Sequence, residues 1–271
     1  MQLIRYRPGP PLDGCIECFW WSERGHPEDR TERLLPSGTA QLVLPLHDRS
    51  FTCLPGSASP LPVTWSRGIV HGPQSGYYSA GPKPAGAVAG VSFRPGGAAA
   101  ILGVPANELT DLHVPLEDLW GLRGRELHEA LREAPAPAAV FQALERTLTR
   151  RLQRPLLIHP AVAQALRGQP GRSTPVRVRE VQRESGYSPR HFAALFRTAV
   201  GLTPKHYYRI RRFTVVVRAL ADDPGGSLAD LAASAGYADQ PHMIRDFRDF
   251  AGLTPTQYRP RDSDAILHHR T

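Results

Sequence analysis

The sequence predicts an α+β chain, in which a β-rich N-terminal barrel is followed by linker helices and an all-α C-terminal domain. Three observations lead to this prediction. One residue pattern occurs twice near the C-terminus, short apolar runs separated by proline and glycine fill the first 93 residues, and the positive charge is concentrated in the last part of the chain. We expect one domain over 1–155, a second over 160–261 and a disordered tail over 262–271.

The repeated pattern consists of Gly-Tyr, then His, then Phe-Arg, then Gly-Leu-Thr-Pro, and finally Tyr. The first copy runs from Gly186 to Tyr207 and the second from Gly236 to Tyr258. With one extra residue allowed between the first Tyr and the His of the second copy, ten positions are identical. A unit this short cannot bury a core alone, so each copy is expected to recruit further helices.

Each copy is predicted to form a helix, a turn and a second helix. Gly186 and Gly236 stand where a left-handed residue ends a helix, and Ser188 and Asp239 then cap the next one. Apolar residues at helical spacing precede the two glycines: Val178, Val181, Leu228, Leu231 and Ala232. Two short helices joined by a tight turn are typical of the helix-turn-helix, whose second helix enters the major groove of DNA.

The helical period divides each second helix into an inward and an outward face. Apolar residues are expected to point inward: Phe192, Leu195, Phe196, Ala199, Met243, Phe247 and Phe250. The outward residues, which are expected to reach DNA, are Arg190, Ala193, Ala194, Arg197, Gln240, Pro241, Ile244, Arg245 and Arg248. Arginine reads guanine, glutamine reads adenine, and Ile or Ala touches the thymine methyl group. An ordinary solvated face is the alternative, but two matched helices in a basic domain disfavour it.

A long helix is predicted between the two copies, over 204–220, because its apolar residues keep helical spacing. Such a helix is about 25 Å long. One turn of B-DNA is about 34 Å. The two recognition helices are therefore expected to enter successive major grooves on one face of the duplex.

Residues 160–261 resemble the DNA-binding domain of the AraC/XylS family of bacterial transcription regulators. The resemblance rests on the motifs at 186–192, 201–204, 236–240 and 252–258. It implies binding to double-stranded DNA and activation through contact with RNA polymerase. Many family members carry longer polar side chains where this sequence has Ala193 and Ala194. The second helix, with Gln240 and Arg245, is therefore expected to carry more of the base specificity.

The N-terminal part is expected to contain strands at 15–21, 40–46, 68–71 and 85–93, followed by helices at 98–102, 124–133 and 138–152. It resembles the cupin-like sensor domains that precede the DNA-binding domain in one branch of the same family. The motifs at 33–38, 41–44 and 91–98 carry this second resemblance. It implies a sensor of a small-molecule effector but identifies no ligand.

Neither the cysteines nor the histidines predict a metal or catalytic site. Cys15 and Cys18 form a Cys-x-x-Cys pair, but Cys53 is the only other thiol, so buried free cysteines are favoured over zinc or redox chemistry. The N-terminal histidines are scattered, with no His-x-His pair: His26, His47, His71 and His113. No motif of nucleophilic catalysis is present. We expect no enzyme activity, no cofactor and no metal.

The charge is divided unevenly between the two halves. Residues 1–160 hold 16 Lys+Arg and 15 Asp+Glu, a net charge of +1, whereas residues 161–271 hold 17 and 10, a net charge of +7. A basic domain beside a near-neutral one is typical of phosphate attraction in one half. No apolar run approaches the length of a membrane span. A cytoplasmic location without a membrane partner is expected.

Two other functions stay open. One is a repressor or architectural DNA-binding protein that needs no effector. The other is a DNA-repair regulator with a zinc-cysteine alkyl acceptor, which the shortage of clustered cysteines disfavours. The sequence also leaves open the effector, the operator, activation against repression, and whether the chain forms a homodimer.

Overall fold

A computed structural model of the chain describes residues 2–54, 56, 62–152, 158–167, 182–259 and 267–270. The strands are β1 (Gln2–Tyr6), β2 (Ile16–Arg24), β3 (Glu32–Leu34), β4 (Gln41–Pro45), β5 (Phe51–Leu54), β6 (Val63–Trp65), β7 (Ile69–His71), β8 (Tyr78–Ala80), β9 (Gly86–Phe93), β10 (His113–Pro115) and β11 (His268–Arg270). The helices are α1 (Ala98–Leu102), α2 (Leu116–Trp120), α3 (Leu122–Arg132), α4 (Pro137–Arg151), α5 (Pro160–Arg167), α6 (Pro189–Val200), α7 (Pro204–Asp222), α8 (Leu228–Ser234) and α9 (Gln240–Ala251). The predicted α+β class, with strands first and helices last, is confirmed.

The first sheet has six antiparallel strands in the order β1-β2-β9-β4-β7-β10. Alternate residues of β2 face the core, where Ile16, Phe19 and Trp21 are buried. Helices α1 to α4 cover that face, and Leu144 and Leu148 of α4 are fully buried in the same cluster. The four strands expected from apolar runs correspond to β2, β4, β7 and β9. The other strands contain no apolar run long enough to be recognised in the sequence.

The second sheet has five strands in the order β11-β3-β8-β5-β6. Among the described residues its strands pair only with one another, so the two sheets remain open. The β-rich N-terminal part is therefore as predicted, except that its two sheets do not close into a barrel. Four of these five strands are only three residues long. Strands this short do not extend far enough to pair with the edges of the first sheet.

A disordered tail was predicted over 262–271; residues 262–266 and 271 lie outside the described residues, and the part that is described, 267–270, includes a strand. Residues His268–Arg270 form β11 and pair antiparallel with Glu32–Leu34 of β3. His269 is buried, and its ring stacks on Tyr258 with a centroid distance of 6.1 Å. The pairing supplies backbone partners that a composition-based reading of a polar tail does not reveal.

The helical domain is built around α7, a helix of 19 residues that corresponds to the long helix predicted over 204–220. Its core-facing positions are buried against α5, α6 and α9: Tyr207, Ile210, Phe213, Val216, Val217 and Leu220. Leu35 and Tyr77 of the N-terminal part pack against the same cluster. The helix predicted around Val178 and Val181 lies outside the described residues. No described helix is both long and apolar enough to cross a membrane.

Candidate nucleic-acid interface

Helix α6 is the second helix of the first repeat and is fixed by its cap and its inward face. The Ser188 side chain accepts a 3.3 Å hydrogen bond from the backbone N–H of His191, and Pro189 occupies the first turn, where its missing N–H is not needed. Phe192 and Phe196 are almost completely buried. Leu195 and Ala199, also predicted to point inward, are half-buried.

The opposite face of α6 is open to solvent. Arg190, Ala194 and Arg197 are exposed, and Ala193 is partly exposed. The face assignment made from the helical period therefore agrees with the positions of these four side chains. Two small alanines between two arginines leave a shallow surface with positive charge at both ends.

Helix α9 repeats this arrangement in the second copy. The Asp239 carboxylate accepts a 2.7 Å hydrogen bond from the backbone N–H of His242, and the inward residues Met243, Phe247 and Phe250 are buried. On the outward face the exposed residues are Pro241, Arg245 and Arg248, with Gln240 and Ile244 partly exposed. The residues predicted to face outward thus lie on the more exposed faces of α6 and α9, and those of α9 are longer and more varied.

One acidic residue of α9 is buried and fastens that helix to α7. The Nε and Nη2 atoms of Arg209 donate hydrogen bonds of 3.1 and 2.6 Å to the Asp246 carboxylate, and Arg209 Nη2 also lies 2.7 Å from Asp249 Oδ2. Arg212 Nη2 lies 3.7 Å from the second Asp246 oxygen. Burial lowers the pKa of Arg209, but the bonds to Asp246 and Asp249 outweigh it and raise the pKa. Arg209 and Arg212 therefore hold α9 at a fixed angle on α7.

The C-terminal ends of both recognition helices rest on the N-terminal domain. Thr110 Oγ1 donates a 2.7 Å hydrogen bond to the carbonyl oxygen of Gly201, and Arg33 Nη1 donates one of 2.8 Å to the carbonyl oxygen of Ala251. Both glycines that end these helices are left-handed, with φ values of 89° at Gly201 and 65° at Gly252. Pro73 lies against Gly201 and Tyr77 lies against Gly252. One short segment, 73–77, thus contacts the ends of both helices.

A cavity of about 1840 Å³ lies between the two sheets and α7. The first sheet contributes Trp20, the second contributes Cys53 and Tyr78, and α7 contributes Arg211 and Arg218. The indole of Trp20 lies directly over Gly90 of β9, where a Cβ atom would come within 2.1 Å of the ring. The cavity is therefore bordered by both domains, and α7 forms part of its wall.

Three buried side chains that appeared unrelated in the sequence come together at this cavity. The ligand atoms of Cys53, His71 and His113 all lie within 4.8 Å of one another. His71 and His113 are paired residues of β7 and β10. Their Nδ1 atoms are 2.7 Å apart. Sequence reasoning missed this cluster because β10 follows two helical segments, so no spacing links it to β7.

Burial controls the protonation of these three groups. It raises the pKa of the Cys53 thiol to about 11 and lowers the pKa of His113 to about 4. Burial and the charge of His113 lower the pKa of His71 well below its usual value. At neutral pH both imidazoles are therefore neutral and the thiol is protonated. Of the Cys-x-x-Cys pair, Cys15 is buried in the core of the first sheet, whereas Cys18 is partly buried and lines the cavity.

Two family models match separate parts of the chain. Residues 181–261 match the family model described as a helix-turn-helix domain, and residues 4–115 match a domain of unknown function, DUF6597. YkgA of Escherichia coli strain K12, whose name marks it as an HTH-type transcriptional regulator, is 32% identical over 91 residues, 32% of this chain and 36% of its own. The HTH-type transcriptional regulator Rv1931c of Mycobacterium tuberculosis is 33% identical over 84 residues, 31% of this chain and 32% of its own. The chain spans about a third of the length of these curated relatives.

Among solved structures, ToxT from Vibrio cholerae O395 superposes with a TM-score of 0.45 at 9% identity, over 87% of this chain and 95% of that chain. The repeat, the two capped helices α6 and α9 and the match over 181–261 show that this part of the chain is a helix-turn-helix domain.

Proposed function

We propose that the chain regulates transcription by placing α6 and α9 in successive major grooves of its operator, and that it does so in the cytoplasm without enzymatic activity. The observation that carries the proposal is the matched pair of outward faces on these two helices. Each face is opposite a buried phenylalanine at the same repeat position, Phe196 in α6 and Phe247 in α9. A solvated surface has no need for this duplication.

The length of α7 suits this mode of binding. Its 19 residues extend about 28 Å at about 1.5 Å per residue. One helical turn of B-DNA is about 34 Å, which is close to this length. Because Arg209 ties α9 to α7 through Asp246, the second recognition helix keeps a fixed orientation. A rigid spacing of this kind favours two half-sites one helical turn apart.

The two helices are proposed to contribute unequally. In α9, Gln240 and Arg245 can read adenine and guanine edges, and Ile244 can touch a thymine methyl group. In α6, Ala193 and Ala194 offer only methyl contacts, while Arg190 and Arg197 flank them and suit phosphate oxygens. Phosphate contacts position a protein on DNA, whereas base contacts specify the sequence. Arg248 lies on the same outward face of α9, and we propose that it contacts DNA without assigning it to a base or a phosphate.

The N-terminal domain is proposed to sense a small effector in the cavity. Arg94, Arg211 and Arg218 are among its lining residues, and the buried Nε of Arg211 has no hydrogen-bond partner among the described residues. A buried guanidinium donor is costly when it is unpaired. An anionic small molecule would supply the missing acceptor. Contact with RNA polymerase, as the resemblance implies, and formation of a homodimer are part of the proposal.

The decisive experiment selects binding sites for the full-length chain from random duplexes, followed by affinity measurements on the selected and a scrambled site. We expect a preferred sequence with two blocks of conserved bases separated by about one helical turn, 10–10.5 base pairs. Equal affinity for the selected and scrambled duplexes would leave an architectural role as the better description. Repeating the measurement with and without a cell extract tests for the effector.

A further inference from the structure

The cluster of Cys53, His71 and His113 has the composition of a transition-metal site. Thiolate and imidazole are the ligands that Zn²⁺ and Cu⁺ prefer. All three side chains are more than nine-tenths buried, with exposed fractions of 3%, 7% and 8%. Their ligand atoms lie within 4.8 Å of one another. Ligand atoms around one tetrahedral Zn²⁺ are about 3.3–3.7 Å apart, so small rotamer shifts would close the three around a single ion.

Hydrogen bonding within the cluster leaves it incompletely satisfied. The 2.7 Å contact between the Nδ1 atoms of His71 and His113 uses one donor and one acceptor. The Nε2 atom of His113 is buried and has no hydrogen-bond partner among the described residues. A buried polar nitrogen without a partner destabilises the protein. If the two histidines served only packing, the unpartnered Nε2 atom of His113 would lower stability with no benefit. In a metal site, an imidazole nitrogen instead uses its lone pair to bind the ion.

The protein supplies an entry path and the rigidity that such a site needs. Cys53 and His71 line the cavity between the sheets and α7, so an ion can reach them from solvent. The ligands come from β5, β7 and β10. β7 and β10 are directly paired, with His71 opposite His113. Ligands on paired strands are held more precisely than ligands on loops.

The charge balance favours a thiophilic ion. Each of the two imidazoles can offer one nitrogen lone pair to a metal ion. Cys53 would lose its thiol proton to solvent as the sulfur binds the metal, which is the usual linkage between metal binding and deprotonation. One thiolate with Cu⁺ gives a neutral site, and with Zn²⁺ a site of charge +1 with an open fourth position. Hard cations such as Mg²⁺ and Ca²⁺ prefer oxygen ligands, which the trio does not offer.

We propose that Cys53, His71 and His113 form a binding site for one thiophilic transition-metal ion, Zn²⁺ or Cu⁺, in the N-terminal domain. The site is separate from the DNA-binding faces, and the inference does not depend on the proposed operator binding. The three residues were not predicted as ligands from the sequence, because they belong to three strands far apart in the chain.

The experiment uses the full-length chain, stripped of metal with a chelator under reducing and oxygen-free conditions. It is titrated separately with Co²⁺ as a spectroscopic substitute for zinc, with Zn²⁺ against a chromophoric chelator, and with Cu⁺ against a copper(I) chelator. We expect one equivalent to bind per chain. Co²⁺ should produce a sulfur-to-metal charge-transfer band and the strong visible bands of a low-coordinate ion. The zinc and copper arms identify which ion binds more tightly.

Three variants decide the ligand assignment. Cys53→Ser should abolish the charge-transfer band, and both Cys53→Ser and His113→Gln should lower the affinity by more than the about 10–100-fold typical of losing an outer-shell partner. Cys18→Ser is the matched control, because Cys18 lines the same cavity but is not part of the trio, and it should bind like the wild type. Circular dichroism shows whether each variant is folded, and His113→Gln decides the matter if Cys53→Ser is not. Two results would overturn the proposal: absence of stoichiometric binding of all three ions to the folded wild type, or unchanged affinity in the folded ligand variants.

Discussion

The hydroxyl group of Thr110 donates a 2.7 Å hydrogen bond to the carbonyl oxygen of Gly201, the residue that ends the first recognition helix. The last carbonyl groups of a helix lack partners within the helix. Arg33 serves the second recognition helix in the same way, through the carbonyl oxygen of Ala251. The N-terminal domain therefore supplies a hydrogen-bond donor to a carbonyl group at the end of each recognition helix. A movement of this domain would shift the ends of both helices.

Gly201→Ala is expected to loosen this junction. The left-handed conformation at Gly201 alone disfavours alanine by about 1–2 kcal/mol. A Cβ atom there would also lie 2.7 Å from Pro73 Cγ and 3.0 Å from the Ala106 carbonyl oxygen. Gly186→Ala is the matched control, because Gly186 is also left-handed but a Cβ atom would meet nothing within 4 Å. Urea denaturation should show a larger loss for Gly201→Ala, and equal losses would mean that the interdomain contact is loose.

Arg245→Ala is expected to remove base reading by α9. The loss should be about 1–3 kcal/mol on the selected operator, with relaxed preference at one base pair. Competition binding with single-base operator variants measures both effects. Arg146→Ala on α4 is a suitable control, since Arg146 is also exposed but lies in the N-terminal domain. An equal loss on specific and non-specific DNA would contradict the assignment of Arg245 to a base.

Arg197→Ala is expected to act differently, because we assign this residue of α6 to a phosphate group. Binding should weaken by a similar factor on every sequence, and the slope of log affinity against log salt should fall by about one. The wild-type affinity should itself decline steeply with salt, given the +7 charge of residues 161–271. Measurements at several salt concentrations check both statements. A changed base preference in Arg197→Ala would move that residue to the base-reading set.

Phe247→Ala is expected to unfold the second half of the helical domain. Phe247 is buried and its ring packs against Phe213 with a centroid distance of 5.1 Å. Truncating a buried phenylalanine removes about 3–5 kcal/mol of stability. Thermal unfolding should show the loss, with DNA affinity falling alongside it. A variant that melts like the wild type but fails to bind DNA would mean that the inward and outward faces of α9 are reversed.

Acid is expected to release β11 from β3. Burial alone would raise the pKa of the Glu32 carboxyl, but the hydrogen bond from His268 and the charge of Lys83 outweigh it and hold the pKa well below its usual value. Because the pKa is lower in the folded chain, this stabilisation is complete well above the unfolded value of about 4.3 and disappears as the pH falls through the folded value. The stability difference between wild type and Glu32→Gln should therefore be largest near pH 7 and shrink below about pH 4.3. A difference independent of pH in urea denaturation would remove Glu32 from this role.

The features that could be predicted from the sequence are local ones. Ser188 and Asp239 cap the recognition helices because a cap depends only on the next three residues. The inward and outward faces follow from one helical period. These signals lie within about a dozen residues, and the repeat supplies each of them twice.

The features that escaped prediction depend on contacts between distant parts of the chain. His71 and His113 meet because β7 pairs with β10. Likewise, the two sheets stay open because of how their short strands pair. The spacing of residues in the sequence predicts neither the meeting of the two histidines nor this strand pairing. Arg209 is bound by the buried carboxylate of Asp246, which lies 37 positions further along the chain, and no local pattern around Arg209 indicates this partner.

The pairing of β11 with β3 changes how the two domains are connected. Next to this pairing, the backbone N–H of Leu35 donates a 2.8 Å hydrogen bond to the carbonyl oxygen of Leu267. The helical domain is therefore joined to the second sheet through β11, in addition to the connection along the chain that leads into α5. A domain held at both ends moves less freely than one on a single linker. An effector that repositions the helical domain must therefore act through small shifts at these contacts or by detaching β11 from β3.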